Sequence, residues 1–112
     1  MRRHTVIGER IMLAAPALAS AAPLVRSSHE SFDGKGYPDA LEGEGIPLGA
    51  RIIAVCDAYD AMVSDRAYRP ALSHRQALDE LQRCAGTQFD PRVVRAFVSA
   101  VERQNLALRK AA

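Results

Sequence analysis

Four side chains in this sequence have the types and positions that metal chemistry needs. Asp57 and Asp60 lie one helical turn apart in an apolar stretch, where carboxylates are rarely buried unless paired, hydrogen-bonded or bound to metal. His4 and His29 belong to two other predicted helices. With Asp57 they supply two imidazoles and one carboxylate, which are ligand types of several open metal sites. The alternatives are two acids on the polar edge of a half-buried helix, and two satisfied or exposed histidines.

Two arginines follow the same apolar stretch. Arg66 and Arg69 lie nine and twelve residues after Asp57. If the helix ends near Ser64, both guanidinium groups project beside the Asp57 face and suit an anionic ligand. The alternative is an Arg-Asp salt-bridge network that fixes the helix end. For His74, which follows a predicted cap, we expect an exposed surface role.

The segment from Ser31 to Pro47 is rich in Gly, Asp and Pro and has no periodicity. Loops of this length inside compact domains are usually functional or disordered. Its most distinctive string is Phe32-Asp33-Gly34-Lys35-Gly36-Tyr37-Pro38. The glycines permit backbone conformations closed to other residues, and Tyr37-Pro38 restricts the far side. A generic tight turn is the alternative.

Helices are predicted to position these residues. They cover Arg2 to about Leu13, Ser20 to about His29, Leu48 to Ser64, a segment opened by the capping box Ser73–Gln76, and one opened by Asp90-Pro91. The third helix is the most apolar, and helical spacing is followed by Ile52, Val55, Cys56, Tyr59 and Met62. We therefore expect this helix to be central and buried. No segment alternates with period two. The sequence therefore predicts an all-α fold of about five helices with a long Gly-rich loop, and a frayed tail over 104–112.

Composition limits the function classes. With 112 residues, 48% of them hydrophobic, the chain has room for one modest domain. No run of eighteen apolar residues and no secretory pattern is present, so we expect a cytoplasmic protein without a membrane partner. Cys56 and Cys84 make no disulfide framework. A net charge of +2 is too small to imply nucleic acid, and we expect no DNA partner.

Three motifs occur in one order and together resemble a known family. The run Ser28-His29-Glu30-Ser31-Phe32-Asp33-Gly34-Lys35-Gly36-Tyr37-Pro38 resembles the HHExxDGxGYP signature of HD-GYP domains. The stretch from Ile46 through Asp57-Ala58-Tyr59-Asp60, Ser64-Asp65-Arg66 and Tyr68-Arg69-Pro70 is similar to the next block of that family, and Gly86–Pro91 to its closing motif. The resemblance implies that residues 1–103 are the C-terminal portion of such a domain.

The resemblance implies an all-helical, metal-dependent phosphohydrolase. Members of the family hydrolyse the bacterial second messenger cyclic di-GMP to linear pGpG or GMP. By resemblance, His4, His29 and Asp57 match metal ligands, and the expected divalent metal is iron or manganese. The expected partner is therefore cyclic di-GMP or a related nucleotide.

The resemblance also gives roles to the arginines and to the loop. Arg66 and Arg69 match residues that contact the phosphates of the ligand, and Tyr37 is expected on the substrate side. Gly36, Tyr37 and Pro38 match the loop that gives the family its name. That loop shapes the site and in some members touches messenger-synthase domains of the GGDEF type, which are thus a possible partner.

Two departures from the family pattern weaken the enzyme interpretation. The His-Asp pair of the family occurs nowhere in the sequence, and Ser28 replaces the first histidine of the His-His pair. A hydroxyl is a poor substitute for imidazole at a transition metal. We therefore expect a phosphodiesterase fragment that is inactive or weak, with an exposed core face that favours self-association. The alternative is a non-catalytic module that binds cyclic di-GMP or a partner through the Gly36–Pro38 loop.

Overall fold

The computed structural model describes residues 3–14 and 21–111, and the side chain of His4 lies outside that description. Its helices are α1 (Arg3–Ala14), α2 (Ala22–Arg26), α3 (Leu48–Val63), α4 (His74–Arg83) and α5 (Pro91–Ala111), with a 3-10 turn at Gly43–Gly45. Only isolated bridges, and no strand, occur within the described ranges. The predicted all-α fold of about five helices with a long loop is confirmed. None of the described helices has the length and apolar character needed to cross a membrane.

The core lies where α3, α4 and α5 pack together. Its buried residues, none more than 9% exposed, are Val55, Leu78, Leu81, Phe89, Val93, Val94 and Val98. Helix α5 contributes an apolar stripe to the core, since three of its valines are buried and Phe97 and Val101 pack against the same cluster. Helix α1 packs on α2, and α2 contacts α3.

The predicted caps of α4 and α5 are confirmed. The Ser73 hydroxyl accepts the Gln76 amide, and the Gln76 side chain accepts the Ser73 amide in return. The Asp90 carboxylate accepts the Arg92 amide at 2.8 Å, and Pro91 is the first residue of α5. These side chains satisfy amides that have no partner inside the helix.

One helix end differs from the prediction. Helix α2 ends at Arg26 rather than near His29, because both the amide and the hydroxyl of Ser28 bond to the Val25 carbonyl and close a turn there. Ser20, where this helix is predicted to begin, lies outside the described residues. Helix α5 continues to Ala111, and the frayed tail expected over residues 104–112 stays a prediction.

The prediction that α3 is buried is wrong for one of its faces. Val55 is fully buried, but Leu48 is 56% and Ile52 44% exposed, and Cys56 is exposed as well. Helices α4 and α5 cover one side of α3 and α2 contacts another part of it, but Leu48, Ile52 and Cys56 have little cover among the described residues. They border an apolar groove of about 650 Å³, the α3–α5 groove, lined by Leu48, Ile52, Cys56, Val93, Ala96 and Phe97 with a polar rim.

A buried ion pair joins the beginnings of α3 and α5. The Arg51 guanidinium lies 2.6 Å from the Asp90 carboxylate, and its Nε donates to the Ile46 carbonyl at 2.9 Å. The Asp90 side chain is completely buried. A buried carboxylate needs such partners, because transfer of a charge out of water is unfavourable unless it is compensated. The pair therefore fixes the loop that precedes α3 against α5.

Candidate functional site

A cleft of about 360 Å³ lies between α3 and the segment that follows α2. It is lined by Ser28, His29, Glu30, Ser31, Tyr37, Ala54, Asp57, Ala58, Gln88 and Phe89. Three of the residues singled out from the sequence, His29, Tyr37 and Asp57, thus face the same cleft although they come from separate segments. The α3–α5 groove is larger but mainly apolar, so it offers fewer groups for polar chemistry.

His29 and Tyr37 form one wall of the cleft. Their rings are stacked, with centroids 5.2 Å apart and planes inclined by 10°. The Tyr37 amide donates to the His29 carbonyl at 3.2 Å. This pairing brings the beginning of the long loop against its middle, and it fixes both aromatic side chains relative to each other.

Gly36 explains why the loop can fold so tightly at this point. A Cβ atom on residue 36 would lie 2.3 Å from the Ser31 nitrogen and 2.6 Å from the Glu30 Cα. Both are backbone atoms, which cannot move aside as a flexible side chain can. Only glycine fits, and the close approach holds Tyr37 beside His29. The following Tyr37–Pro38 peptide bond is cis.

The Glu30 side chain holds residues 39–41 of the loop in place. The side chain is buried, and its two carboxylate oxygens accept the amides of Asp39 and Leu41, each at 2.8 Å. No local sequence pattern indicates this role of Glu30. The available signal was a loop of this length without periodicity, whose backbone amides must find partners somewhere.

The segment that precedes α5 supports the other side of the loop. The Phe32 and Asp33 amides donate to the carbonyls of Gln88 and Thr87 at 3.1 and 2.8 Å. The Asp33 carboxylate accepts the Lys35 amide, and this hydrogen bond lowers the pKa of Asp33. Gln88 also lines the cleft, a role that the sequence analysis missed because the contact is long-range.

Asp57 and Asp60 prove to have different positions. Both are exposed, but only Asp57 is among the residues that line the cleft, where it lies next to the small side chains of Ala54 and Ala58. Asp60 fits the alternative of an acid on the polar edge of the helix. Of these two acids, Asp57 is therefore the one that shares the cleft with His29.

The two arginines lie on a turn just beyond α3. Arg66 and Arg69 exchange both backbone hydrogen bonds, at 3.0 and 3.2 Å, and neither lines the cleft. The Arg69 guanidinium donates to the Ala61 carbonyl at 2.9 Å, so it satisfies a carbonyl at the end of α3. Ala61 is one turn after Asp57, on the same face of the helix. Arg66 is exposed.

The described residues do not make up a metal site by themselves. Among them, no three His, Cys, Asp or Glu side chains are grouped so that they could hold a metal ion. His29 and Asp57 share the cleft, while the side chain of His4, the third predicted ligand, lies outside the described residues. The Ser28 hydroxyl donates to the Val25 carbonyl at 2.8 Å. Glu30 also lines the cleft, but both of its carboxylate oxygens accept loop amides, and the two groups left are fewer than such a site requires.

Known proteins match this chain over most of its length. Residues 1–93 match the family profile described as HD domain. A cyclic di-GMP phosphodiesterase of Vibrio cholerae is 43% identical over 110 residues, which are 92% of this chain and 22% of that protein. The cyclic di-GMP phosphodiesterase response regulator RpfG of Xanthomonas campestris is 42% identical over 100 residues, which are 88% of this chain and 26% of that protein.

One solved structure gives a three-dimensional match. A cyclic GMP-AMP-specific phosphodiesterase of V. cholerae superposes with a TM-score of 0.66 at 30% identity, over 75% of this chain and 19% of that chain. The present chain therefore spans about a fifth to a quarter of the length of these relatives.

Proposed function

The chain belongs to the HD-domain family, and on this premise we propose that it is the ligand-binding part of a cyclic-dinucleotide phosphodiesterase of the HD-GYP type. The observation that carries the proposal is the arrangement of His29, Tyr37 and Asp57 around one cleft. These are the residue types that the family motif supplies, and they come from separate segments of the chain.

The proposed ligand is a cyclic purine dinucleotide. Cyclic di-GMP is the first candidate because two of the relatives above are named for it, and cyclic GMP-AMP is the second because the solved structure is. Both carry two phosphodiester groups. We assign the phosphate contacts to Arg66 and Arg69, since guanidinium groups bind phosphate oxygens with directed hydrogen bonds. Tyr37 would border the ligand from the wall that it forms with His29.

Binding without efficient hydrolysis is the activity that we propose for this chain on its own. Of the described side chains on the cleft, we count only His29 and Asp57 as candidate ligands, because both Glu30 oxygens accept loop amides and the Ser28 hydroxyl donates to the Val25 carbonyl. We therefore derive no hydrolytic step from them. His4, His29 and Asp57 are our proposed contacts for a divalent metal, with iron or manganese as the expected ion.

Metal retention tests that assignment. We expect Asp57→Asn to retain less manganese than the parent chain after dialysis, measured by elemental analysis, because it removes a carboxylate that lines the cleft together with His29. Asp60→Asn is the matched control, since the same charge is removed one turn away and outside the cleft. Equal retention by both variants would remove Asp57 from the ligand set.

Calorimetric titration with cyclic di-GMP tests the ligand. We expect the parent chain to bind, and His29→Ala to bind about tenfold more weakly, the effect of losing about 1.4 kcal/mol. His74→Ala is the control, because His74 is an exposed histidine that does not line the cleft. Chromatography of the nucleotide after the titration reports hydrolysis to pGpG. Absence of binding, or equal loss in both variants, contradicts the proposal.

A second candidate function is docking of a synthase domain through the Gly36–Pro38 loop. The observation in its favour is that this loop is held at both ends by buried or backbone hydrogen bonds while Lys35 next to it is exposed. A rigid surface loop loses little entropy when it binds. Titration with an isolated GGDEF-type domain tests it, and Lys35→Glu should weaken binding. Location in the cytoplasm stays a prediction.

A further inference from the structure

We propose that Glu30 is a positioning residue for the cleft: its buried carboxylate holds residues 36–41 in the place where Tyr37 stacks on His29. The expected effect of Glu30 on nucleotide binding rests on the proposed function. Its effect on the aromatic stack does not, so the two can be tested separately.

The hydrogen bonds of Glu30 use both of its oxygens. Oε2 accepts the Asp39 amide and Oε1 accepts the Leu41 amide, each at 2.8 Å, and the residue is 6% exposed. A buried carboxylate is unfavourable unless it is hydrogen-bonded, so the loop and the side chain stabilise each other. A glutamine cannot replace it, because its NH₂ group would face one of the two amide donors.

Few residues and contacts separate the Glu30 carboxylate from the stacked rings of His29 and Tyr37. Glu30 directly follows His29, and the amides that it binds come two and four residues after Tyr37. Between these points, Gly36 packs on the Ser31 backbone and the Tyr37 amide bonds to the His29 carbonyl. Residues 29–31 and 36–41 are thus joined at three places, and Glu30 supplies the one that is buried and charged.

A second interaction that holds residues 36–41, the ion pair of Arg26 with Asp39, is weaker. The Arg26 guanidinium binds the Asp39 carboxylate at 2.8 and 2.9 Å and Glu9 of α1 at 2.8 Å. The Asp39 contacts are exposed, and exposed ion pairs add little stability because water and salt screen them. We therefore assign the larger share of loop order to Glu30. The buried core of α3, α4 and α5 contains none of residues 36–41, so the loop can loosen while the core stays folded.

The experiment compares Glu30→Gln with Glu42→Gln by NMR. Glu42 is an exposed carboxylate on the same loop, so the control removes the same charge but leaves the two hydrogen bonds of Glu30 in place. In Glu30→Gln we expect at least tenfold faster hydrogen exchange of the Asp39 and Leu41 amides. The ring protons of His29 should also lose most of their ring-current shift, with Tyr37→Leu as the reference for complete loss. Glu42→Gln should match the parent chain in both.

Calorimetric titration with cyclic di-GMP then gives the functional consequence. We expect Glu30→Gln to bind about tenfold more weakly. This is the loss expected if the loop of the variant adopts its binding conformation only about a tenth of the time. If the parent chain binds no cyclic di-GMP, the proposed function fails, and the NMR signals still decide the role of Glu30. A retained His29 shift in Glu30→Gln overturns the proposal.

Glu30→Asp covers the case in which the glutamine variant does not fold. It keeps the charge but is one methylene too short to reach both amides. We expect it to show the same loss of amide protection and of the His29 shift. The parent chain gives a further check without any substitution, since its Asp39 and Leu41 amides should exchange at least tenfold more slowly than that of exposed Ala40. Comparable rates at all three overturn the proposal.

Discussion

The core of α3, α4 and α5 and the loop of residues 27–47 are stabilised by different interactions. In the core, buried apolar side chains such as Val55 and Leu81 pack against one another. In the loop, order comes from the Glu30 carboxylate, from backbone hydrogen bonds to residues 87 and 88, and from the close approach of Gly36. Substitutions in the core should therefore lower the free energy of unfolding most, and substitutions in the loop should also disturb the cleft.

The largest expected effect is in the core. Leu81→Ala removes a side chain with no exposed surface and leaves a cavity, so the free energy of unfolding should fall by about 3 kcal/mol. Leu48→Ala, at a position 56% exposed, should change it by less than about 0.5 kcal/mol. Urea titration followed by circular dichroism measures both. Similar losses would mean that α3 is covered on both faces in solution.

Gly36→Ala should break the loop while the core survives. The added Cβ would meet backbone at 2.3 Å, and relief of such overpacking costs about 1–3 kcal/mol. We expect that loss in urea titration, together with loss of the ring-current shift of His29. Gly45→Ala is the matched control, because a Cβ there meets nothing within 4 Å. An unchanged His29 shift in Gly36→Ala would show that the aromatic stack does not depend on this contact.

The Arg51–Asp90 pair joins the two regions and should make stability depend on pH. Burial by itself would raise the pKa of Asp90, but hydrogen bonds from Arg51 and the Arg92 amide outweigh it and hold this pKa below its ordinary value of 3.8. A lowered pKa in the folded state means that the unfolded state binds the proton more tightly at low pH. The contribution of Asp90 is therefore complete above pH 3.8 and is lost as the pH falls through the folded pKa.

Asp90→Asn tests this dependence by urea titration between neutral pH and about pH 3. The variant should be less stable than the parent chain at neutral pH, and the difference should shrink on acidification. Asp60→Asn, at an exposed position, should follow the parent chain throughout. A constant difference between Asp90→Asn and the parent chain would contradict the assignment of a lowered pKa.

The smallest effect is expected from substitutions on the exposed face of α3, and it concerns self-association of the chain. We propose that the chain self-associates through apolar residues such as Ile52 in the α3–α5 groove, because a groove of this size leaves apolar surface in water. Light scattering after size exclusion should show dimers or larger species at high concentration. Ile52→Lys should shift them to monomer, with Leu106→Lys as a control at an exposed position outside the groove. A monomeric parent chain would contradict the proposal.

The two regions also differ in how far the sequence predicts them. The capping box at Ser73 and the Asp90-Pro91 start are local signals, and each was confirmed because its partner lies within three residues. Burial of α3 was only half correct, since apolar residues around a helix do not tell which face its neighbours cover. Ile52 and Val55 look alike in the sequence and differ in exposure.

The sequence does not predict the cleft in full, because the cleft depends on long-range contacts that no local sequence pattern reveals. The resemblance indicated His29, Tyr37 and Asp57, but the stack of the first two depends on the Glu30 carboxylate and on Gly36, whose partners are defined by the folded loop. The hydrogen bond of Arg69 to the Ala61 carbonyl is another contact of this kind. The assignments of metal and phosphate contacts to His4, Arg66 and Arg69 stay predictions.

An NMR titration of the chain with cyclic di-GMP tests the central claim most directly. The account predicts that the signals of His29, Tyr37, Asp57 and Gln88, all on the cleft, shift with one common dissociation constant. The signals of Ile52 and Phe97, which line the α3–α5 groove, should stay in place. Shifts confined to the groove, or no shifts at all, would contradict the claim that the cleft is the ligand-binding site.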